Sequence, residues 1–188
     1  MVGIFALWLP IVLAAVAVFV TSSIMHMALP HHRKDFKKVP DEDGVMNALR
    51  PFNLPPGDYV MPNTEGDHAA TKTEEFKAKL DRGPLVVMTV MPGGTFSAMM
   101  GKTLGVWFVY LLIVSALVAY VAELNFAAGA EYMEVFRFTG TVAFGFYAVG
   151  DWTRVIWYKS SGMTAFKNTA DSFVYGLMTA GVFGWLWP

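Results

Sequence analysis

Four stretches of the chain are almost free of charge, and one polar segment separates the first from the other three. Residues 2–29 carry no charged side chain, and 4–20 is aliphatic or aromatic nearly throughout, apart from Pro10. About 20 such residues cross the hydrocarbon core of a bilayer, so residues 1–29 predict a first transmembrane span. A cleaved signal peptide competes with that reading, but it needs a basic start, and Met1-Val2-Gly3 offers none. A retained helix is the better expectation. Residues 104–122 form a second uncharged run that closes at Glu123. The third, about 135–158, has Arg137 near one end and Asp151 and Arg154 near the other, where long side chains can snorkel to the interface. The fourth, about 170–187, ends on Trp185 and Trp187, as an interfacial aromatic belt does.

The polar segment, residues 30–103, has the pattern of a small folded insert. Thr71 followed by Glu74 has capping-box spacing, residues 75–80 favour a helix, and Gly83 stops it. Residues 58–61 lie between Pro-rich turns, and the β-branched run 84–91 ends at Pro92-Gly93-Gly94, so two short strands are expected. A two-stranded ribbon is marginal alone, which calls for support from the bilayer or a partner. The predicted fold is therefore mainly α: a four-helix transmembrane protein (about 104–122, 135–158 and 170–187 after span 1) with a small α/β soluble insert between spans 1 and 2.

Composition agrees with this division. Of 188 residues, 55% are hydrophobic and only 15% charged, against about 25% charged in ordinary soluble domains. Residues 30–102 hold ten Lys or Arg and ten Asp or Glu, leaving nine charges for the rest of the chain. That balance lacks the clustered basic surplus of a nucleic-acid binder. The absence of Cys excludes disulfides and thiolate chemistry. The Lys/Arg bias sets orientation: Arg33, Lys34, Lys37 and Lys38 follow span 1, and Lys159 and Lys167 lie between spans 3 and 4. The connection between spans 2 and 3 has only acidic charges before Arg137. Positive-inside logic then predicts both termini outside and the insert in the cytoplasm.

Few residues suggest chemistry. Gly101-Lys102-Thr103 lacks the glycine five positions earlier that a phosphate loop needs, because Phe96 occupies that place and Gly93-Gly94 lie too far back. Asp41-Glu42-Asp43 is too short for a calcium loop and suits a helix start. His26, Met27, His31 and His32 offer imidazole and thioether ligands of the kind that hold copper(I), but beside a basic cluster they are more simply interfacial side chains. No cofactor is expected. Arg33, Lys34, Lys37 and Lys38 form a juxtamembrane patch suited to anionic lipid, worth about 1 kcal/mol per charge. Asp151 and Arg154 share a helix face, and Asp171 begins the fourth apolar run, so the three predict an ion-pair cluster or, less simply, an ion path. Gly176, Ala180 and Gly184 recur every four residues, a close-packing seam within one chain or across a dimer.

His26-Met27, the run His31-His32-Arg33-Lys34, Pro56-Gly57-Asp58-Tyr59, Phe138-Thr139-Gly140-Thr141 and the closing Gly184-Trp185-Leu186-Trp187 together resemble small four-span bacterial inner-membrane proteins of uncharacterised activity. The resemblance implies an inner (plasma) membrane location and no catalytic residue. The function expected from the sequence is a non-enzymatic accessory or assembly component that meets the lipid bilayer, a protein partner or a second copy of itself. The alternative is a small transporter or channel that uses Asp151, Arg154 and Asp171.

Overall fold

The computed structural model describes residues 2–188. In chain order these form α1 (Trp8–Ser23), α2 (Glu42–Leu49), β1 (Gly57–Met61), α3 (Glu74–Arg82), β2 (Val86–Val90), α4 (Phe96–Glu123), α5 (Tyr132–Tyr158) and α6 (Gly162–Leu186). They divide into two compact units, Met1–Lys37 with Phe96–Pro188, and Lys38–Thr95.

The larger unit is a four-helix bundle. α1 continues a 3-10 turn at Ile4–Leu7 and is followed by a π-helical turn at Ile24–Ala28. Pro10 falls in its first turn, where a missing N–H costs least. Pro30 stops the helix two residues past the π turn. α1 packs on α4 and α6, α6 packs most extensively on α5, and α5 returns to α4, so the four helices close a ring. Residues Ile4–Ala28 and Ser97–Glu123 are long and apolar enough to cross a membrane. α5 and α6, at 27 and 25 residues, have the length but are more polar. The structure thus contains two candidate spans where the apolar pattern predicts four.

The helices run longer than the apolar stretches that announce them. α4 begins eight residues before residue 104 and α6 eight before residue 170, because flanks such as Ser97–Thr103 and Met163–Thr169 are polar in part but helix-compatible. Gly101-Lys102-Thr103 is consequently continuous helix. Ser161 caps α6: its Oγ accepts from the Thr164 N–H at 3.2 Å. The boundaries of the insert move accordingly to Lys38 and Thr95.

The small-residue stripe of α6 packs against α5 of the same chain. A Cβ placed on Gly176 would lie 3.0 Å from the Gly140 carbonyl oxygen, one on Gly140 would meet the Ala180 Cβ at 3.0 Å, and one on Gly184 would strike the Tyr132 ring at 2.8 Å. Those three contacts explain why α5 and α6 approach so closely. Ser22, Ser115, Thr139, Ser172 and Thr179 are buried with the apolar core of Leu7, Val18, Leu111, Val118 and Phe183, whereas Val16, Ile113, Val149 and Phe173 face outward.

In the smaller unit β1 and β2 pair antiparallel, Gly57 opposite Val90 and Met61 opposite Val86, with Thr89 Oγ1 donating to Asp58 Oδ1 at 2.6 Å. Asp41 caps α2 by accepting from the Gly44 N–H at 3.0 Å, in keeping with a helix start. α3 is capped by Thr73, which accepts from Phe76 N–H at 3.2 Å, and not by Thr71, which lies in the preceding 3-10 turn. The capping-box spacing misplaces the cap by two residues because Thr71 and Thr73 both precede an acidic turn. None of the described residues 38–95 is buried.

Ala180→Leu adds three heavy atoms to a fully buried position facing Gly140. Overpacking of this kind costs about 1–3 kcal/mol. The purified variant should unfold at lower temperature than wild type in the same detergent, and equal unfolding temperatures would remove the seam from this account.

Candidate functional site

Asp171 is the one charged residue buried among those described, at 4% exposure. It lies about two and a half turns into α6, on the face that also carries Lys167 and Tyr175 at spacings of four. A carboxylate so placed needs donors, and the chain supplies them from the exit of α1. The π-helical turn carries His26 around so that its Nδ1 donates to the Ser22 carbonyl at 3.1 Å, which leaves Nε2 facing Asp171 Oδ2 at 4.0 Å. After Pro30 the chain folds back through two tight turns, Arg33 N–H to Pro30 O and Asp35 N–H to His32 O. These turns set His31, His32 and Asp35 over α6.

His32 is the hub. Its Nε2 is 2.6 Å from Asp171 Oδ2 and its Nδ1 is 2.5 Å from Asp35 Oδ2. Both contacts are hydrogen bonds only when both ring nitrogens carry protons. Burial works to lower the His32 pKa, but the hydrogen bonds to Asp35 and Asp171 and their charges outweigh it, so the net shift is upward. Burial likewise works to raise Asp35, and hydrogen bonds from Lys167 and His32 overcome it and hold that carboxyl below its usual range. Lys167 Nζ donates to Asp35 Oδ1 and to the His31 carbonyl, each at 2.6 Å. His31 Nε2 meets the second Asp171 oxygen at 3.3 Å, and the His26 and His32 rings stack with centroids 4.4 Å apart.

Beside this cluster lies a cavity of about 590 Å³. His26, Asp151 and Asp171 give it a polar end, and Trp107, Tyr110 and Tyr147 form aromatic walls. Trp107 Nε1 donates to Ser22 Oγ at 3.0 Å, which fixes one wall to α1. A second recess, bordered by His32, Asp35, Asp151 and Arg154, shares Asp151 with the first. The hydroxyls of Ser115, Tyr147 and Thr179 are buried and have no hydrogen-bond partner among the described residues.

The expected trio is only partly assembled. Asp151 and Asp171 line one cavity, but no ion pair among the described residues joins Asp151, Arg154 and Asp171, and the partners of Asp171 are histidines. The reason is the early start of α6, which puts Asp171 inside the helix facing α1 rather than at a cap. His26, His31 and His32 converge, whereas Met27 is 69% exposed at the cavity rim. Arg33, Lys34 and Lys37 are exposed around Phe36, itself 97% exposed; Lys38, in the other unit, lies 3.9 Å from Glu42. Gly176, Ala180 and Gly184 belong to the α5 seam and not to this site.

Three members are not picked out by the sequence: Asp35, Lys167 and Tyr175, which lines the cavity with its hydroxyl 3.5 Å from His26 Nδ1. The spacing 167, 171, 175 on one helix face was the available signal for the last two, and His32-x-x-Asp35 for the first. Comparison with protein-family models, curated proteins and solved structures finds no match to this chain.

A group whose pKa is raised on folding stabilises the fold below its unfolded pKa, about 6.5 for His, and loses that contribution as pH rises through the folded value. Asp35 acts in the opposite sense, but its window lies below pH 5. His26, His31, Asp35 and Asp171 face His32, Lys167 reaches it only through Asp35, and Asp151 and Arg154 share its recess. In chelator-containing buffer, wild type should therefore lose more thermal stability between pH 6 and pH 8 than His32→Gln does. Parallel pH slopes for the two proteins would contradict the bridging role.

Proposed function

We propose that the chain is a four-span bacterial inner-membrane protein whose bundle admits a small cation through the cavity beside Asp171. The observation that carries this reading is the buried Asp171 carboxylate, at 4% exposure, set in the wall of a 590 Å³ cavity within a helical bundle. Ionisable groups inside membrane bundles are costly and mark solute or ion pathways. Asp151 shares the cavity, and the faces of Trp107, Tyr110 and Tyr147 favour cations over anions. Thr179 lies two turns beyond Asp171 on α6, and Ser115 two turns beyond Trp107 on α4. Both hydroxyls are buried without a hydrogen-bond partner among the described residues.

The four-span arrangement is favoured by the outward faces of α5 and α6, where Phe146, Val149, Ile156, Phe166, Phe173 and Leu177 are exposed. Apolar surface on this scale belongs against lipid. Arg33, Lys34, Lys37, Lys159 and Lys167 cluster around the histidine end in the sequence topology, so the cavity mouth faces the cytoplasm and both termini lie outside.

Reconstitution tests the reading. Liposomes containing the protein, with an entrapped fluorophore quenched by Mn²⁺ or a trapped pH dye, should show Mn²⁺ or proton entry above protein-free vesicles. Asp171→Asn at equal incorporation should abolish it. Entry no faster than in protein-free vesicles would overturn the proposal.

A second reading is an accessory or assembly component that meets a partner or the lipid surface through the insert and the basic patch. It is favoured by residues 38–95, which bury nothing while Leu85, Val87 and Met91 are exposed. Purification in mild detergent should then yield a stoichiometric partner that is lost when these three become Gln. A chain that purifies alone contradicts this reading.

A further inference from the structure

The cluster at Asp171 has the composition and the outer supports of a metal site, which a purely structural ion pair does not need. We propose that His26, His32 and Asp171 bind one divalent transition-metal ion of the zinc class, with His31 and Asp35 as positioning residues and the fourth coordination position open toward the cavity. The ligating atoms of these three residues all lie within 4.8 Å of one another. In a tetrahedral site with bonds of about 2.0–2.1 Å, ligand atoms are roughly 3.3 Å apart. His32 Nε2 and Asp171 Oδ2, 2.6 Å apart as hydrogen-bond partners, open by about 0.7 Å to admit the ion, and His26 Nε2, 4.0 Å from Asp171 Oδ2 on a half-exposed side chain at a helix end, moves in by a similar amount.

Each ligand is oriented by a second group, as metal-binding histidines and carboxylates are. The Nδ1–H of His26 is held by the Ser22 carbonyl at 3.1 Å, so the tautomer presents Nε2. The Nδ1–H of His32 is held by Asp35 at 2.5 Å, and Asp35 is fixed in turn by Lys167 at 2.6 Å. That is a carboxylate–histidine pair directed at the place where His32 Nε2 and Asp171 Oδ2 meet. His31 holds the other oxygen of Asp171 at 3.3 Å and leaves Oδ2 as the ligand. On metal binding the proton at His32 Nε2 is displaced to solvent, and the ion takes its place between the imidazole and the carboxylate.

The donor set selects the ion. Two imidazoles and one carboxylate suit zinc, nickel, cobalt and ferrous iron, whereas magnesium and calcium need shells of six or more oxygens. With neutral imidazoles, Asp35, Asp171 and Lys167 leave the cluster a formal net charge of -1 (two negative, one positive), which repels anions and attracts a divalent cation. The proposal rests on the reading of cation entry through the cavity for what the ion does there, and not for whether it binds.

The test uses the full-length protein in detergent, stripped with EDTA and desalted, then titrated with Zn²⁺ against a chromophoric chelator and with Co²⁺ by visible absorption. One ion per chain is expected, with cobalt d–d bands of a four-coordinate site, and neither Mg²⁺ nor Ca²⁺ in excess should displace zinc. Asp171→Asn and His32→Gln should each weaken zinc binding by roughly a hundredfold, and His31→Gln by about tenfold. Glu134→Gln, in the first turn of α5 and outside the cavity, should bind zinc as wild type does. If Asp171→Asn does not fold, His26→Gln carries the test, because that half-exposed ring at the helix end supports little of the core. Zinc bound equally by wild type and His26→Gln, or less than one equivalent bound by wild type, overturns the metal site. One bound ion with neither Mn²⁺ nor proton entry into liposomes overturns the transport reading and leaves the site standing; entry of either without stoichiometric binding does the reverse.

Discussion

A carboxylate withdrawn from water among apolar helices has to be met by hydrogen-bond donors or positive charge, and Asp171 imposes that requirement on this molecule. Removing one member of a buried charged pair costs about 3–5 kcal/mol, enough to decide how neighbouring segments are placed. α1 answers through its end. The π turn at Ile24–Ala28, the stop at Pro30 and the fold-back to Asp35 deliver three imidazoles to one carboxylate of α6. Lys167 completes the link from the same helix face by binding both Asp35 and the His31 backbone.

The bundle around this cluster is divided in character. At one end are the histidines, two cavity carboxylates and the aromatic walls; toward the other lie the tight α5 and α6 seam and the core around Phe183. Close packing at Gly140, Gly176 and Gly184 fixes α6, and so fixes Asp171 rigidly, while His26 and His31 remain partly exposed and adjustable. A carboxylate fixed in the bundle, with imidazoles of graded exposure beside it, leaves an approach to the cluster from outside the core. The open cavity beside it gives the proposed ion somewhere to go.

Much of this architecture was legible in the sequence, and what was missed has physical causes. The uncharged runs located all four bundle helices, because burial against lipid or core demands apolar faces. Their starts were hidden, since Ser97–Thr103 and Met163–Thr169 are helical without being apolar, and hydrophobicity registers burial rather than backbone state. That error carried over to the site. With α6 begun at residue 170, Asp171 looks like a cap beside Asp151 and Arg154; with α6 begun at Gly162, it is an inward-facing residue in the stripe Lys167, Asp171, Tyr175. The histidines were visible as ligand types, but their convergence was not, because a fold-back after Pro30 leaves no periodic trace. The seam at Gly176, Ala180 and Gly184 was readable as spacing, and only coordinates could assign it to α5 of the same chain.

The coupling between the α1 exit and α6 through His32 and Asp171 underlies the fold of this end, the cavity and the proposed ion site together. A double-mutant cycle with His32→Gln and Asp171→Asn, read by equilibrium unfolding of the metal-free protein in detergent, measures it most directly. The account predicts a coupling energy of about 1–3 kcal/mol, as residues in one hydrogen-bonded charge network show. Additivity of the two substitutions within about 0.5 kcal/mol would contradict it.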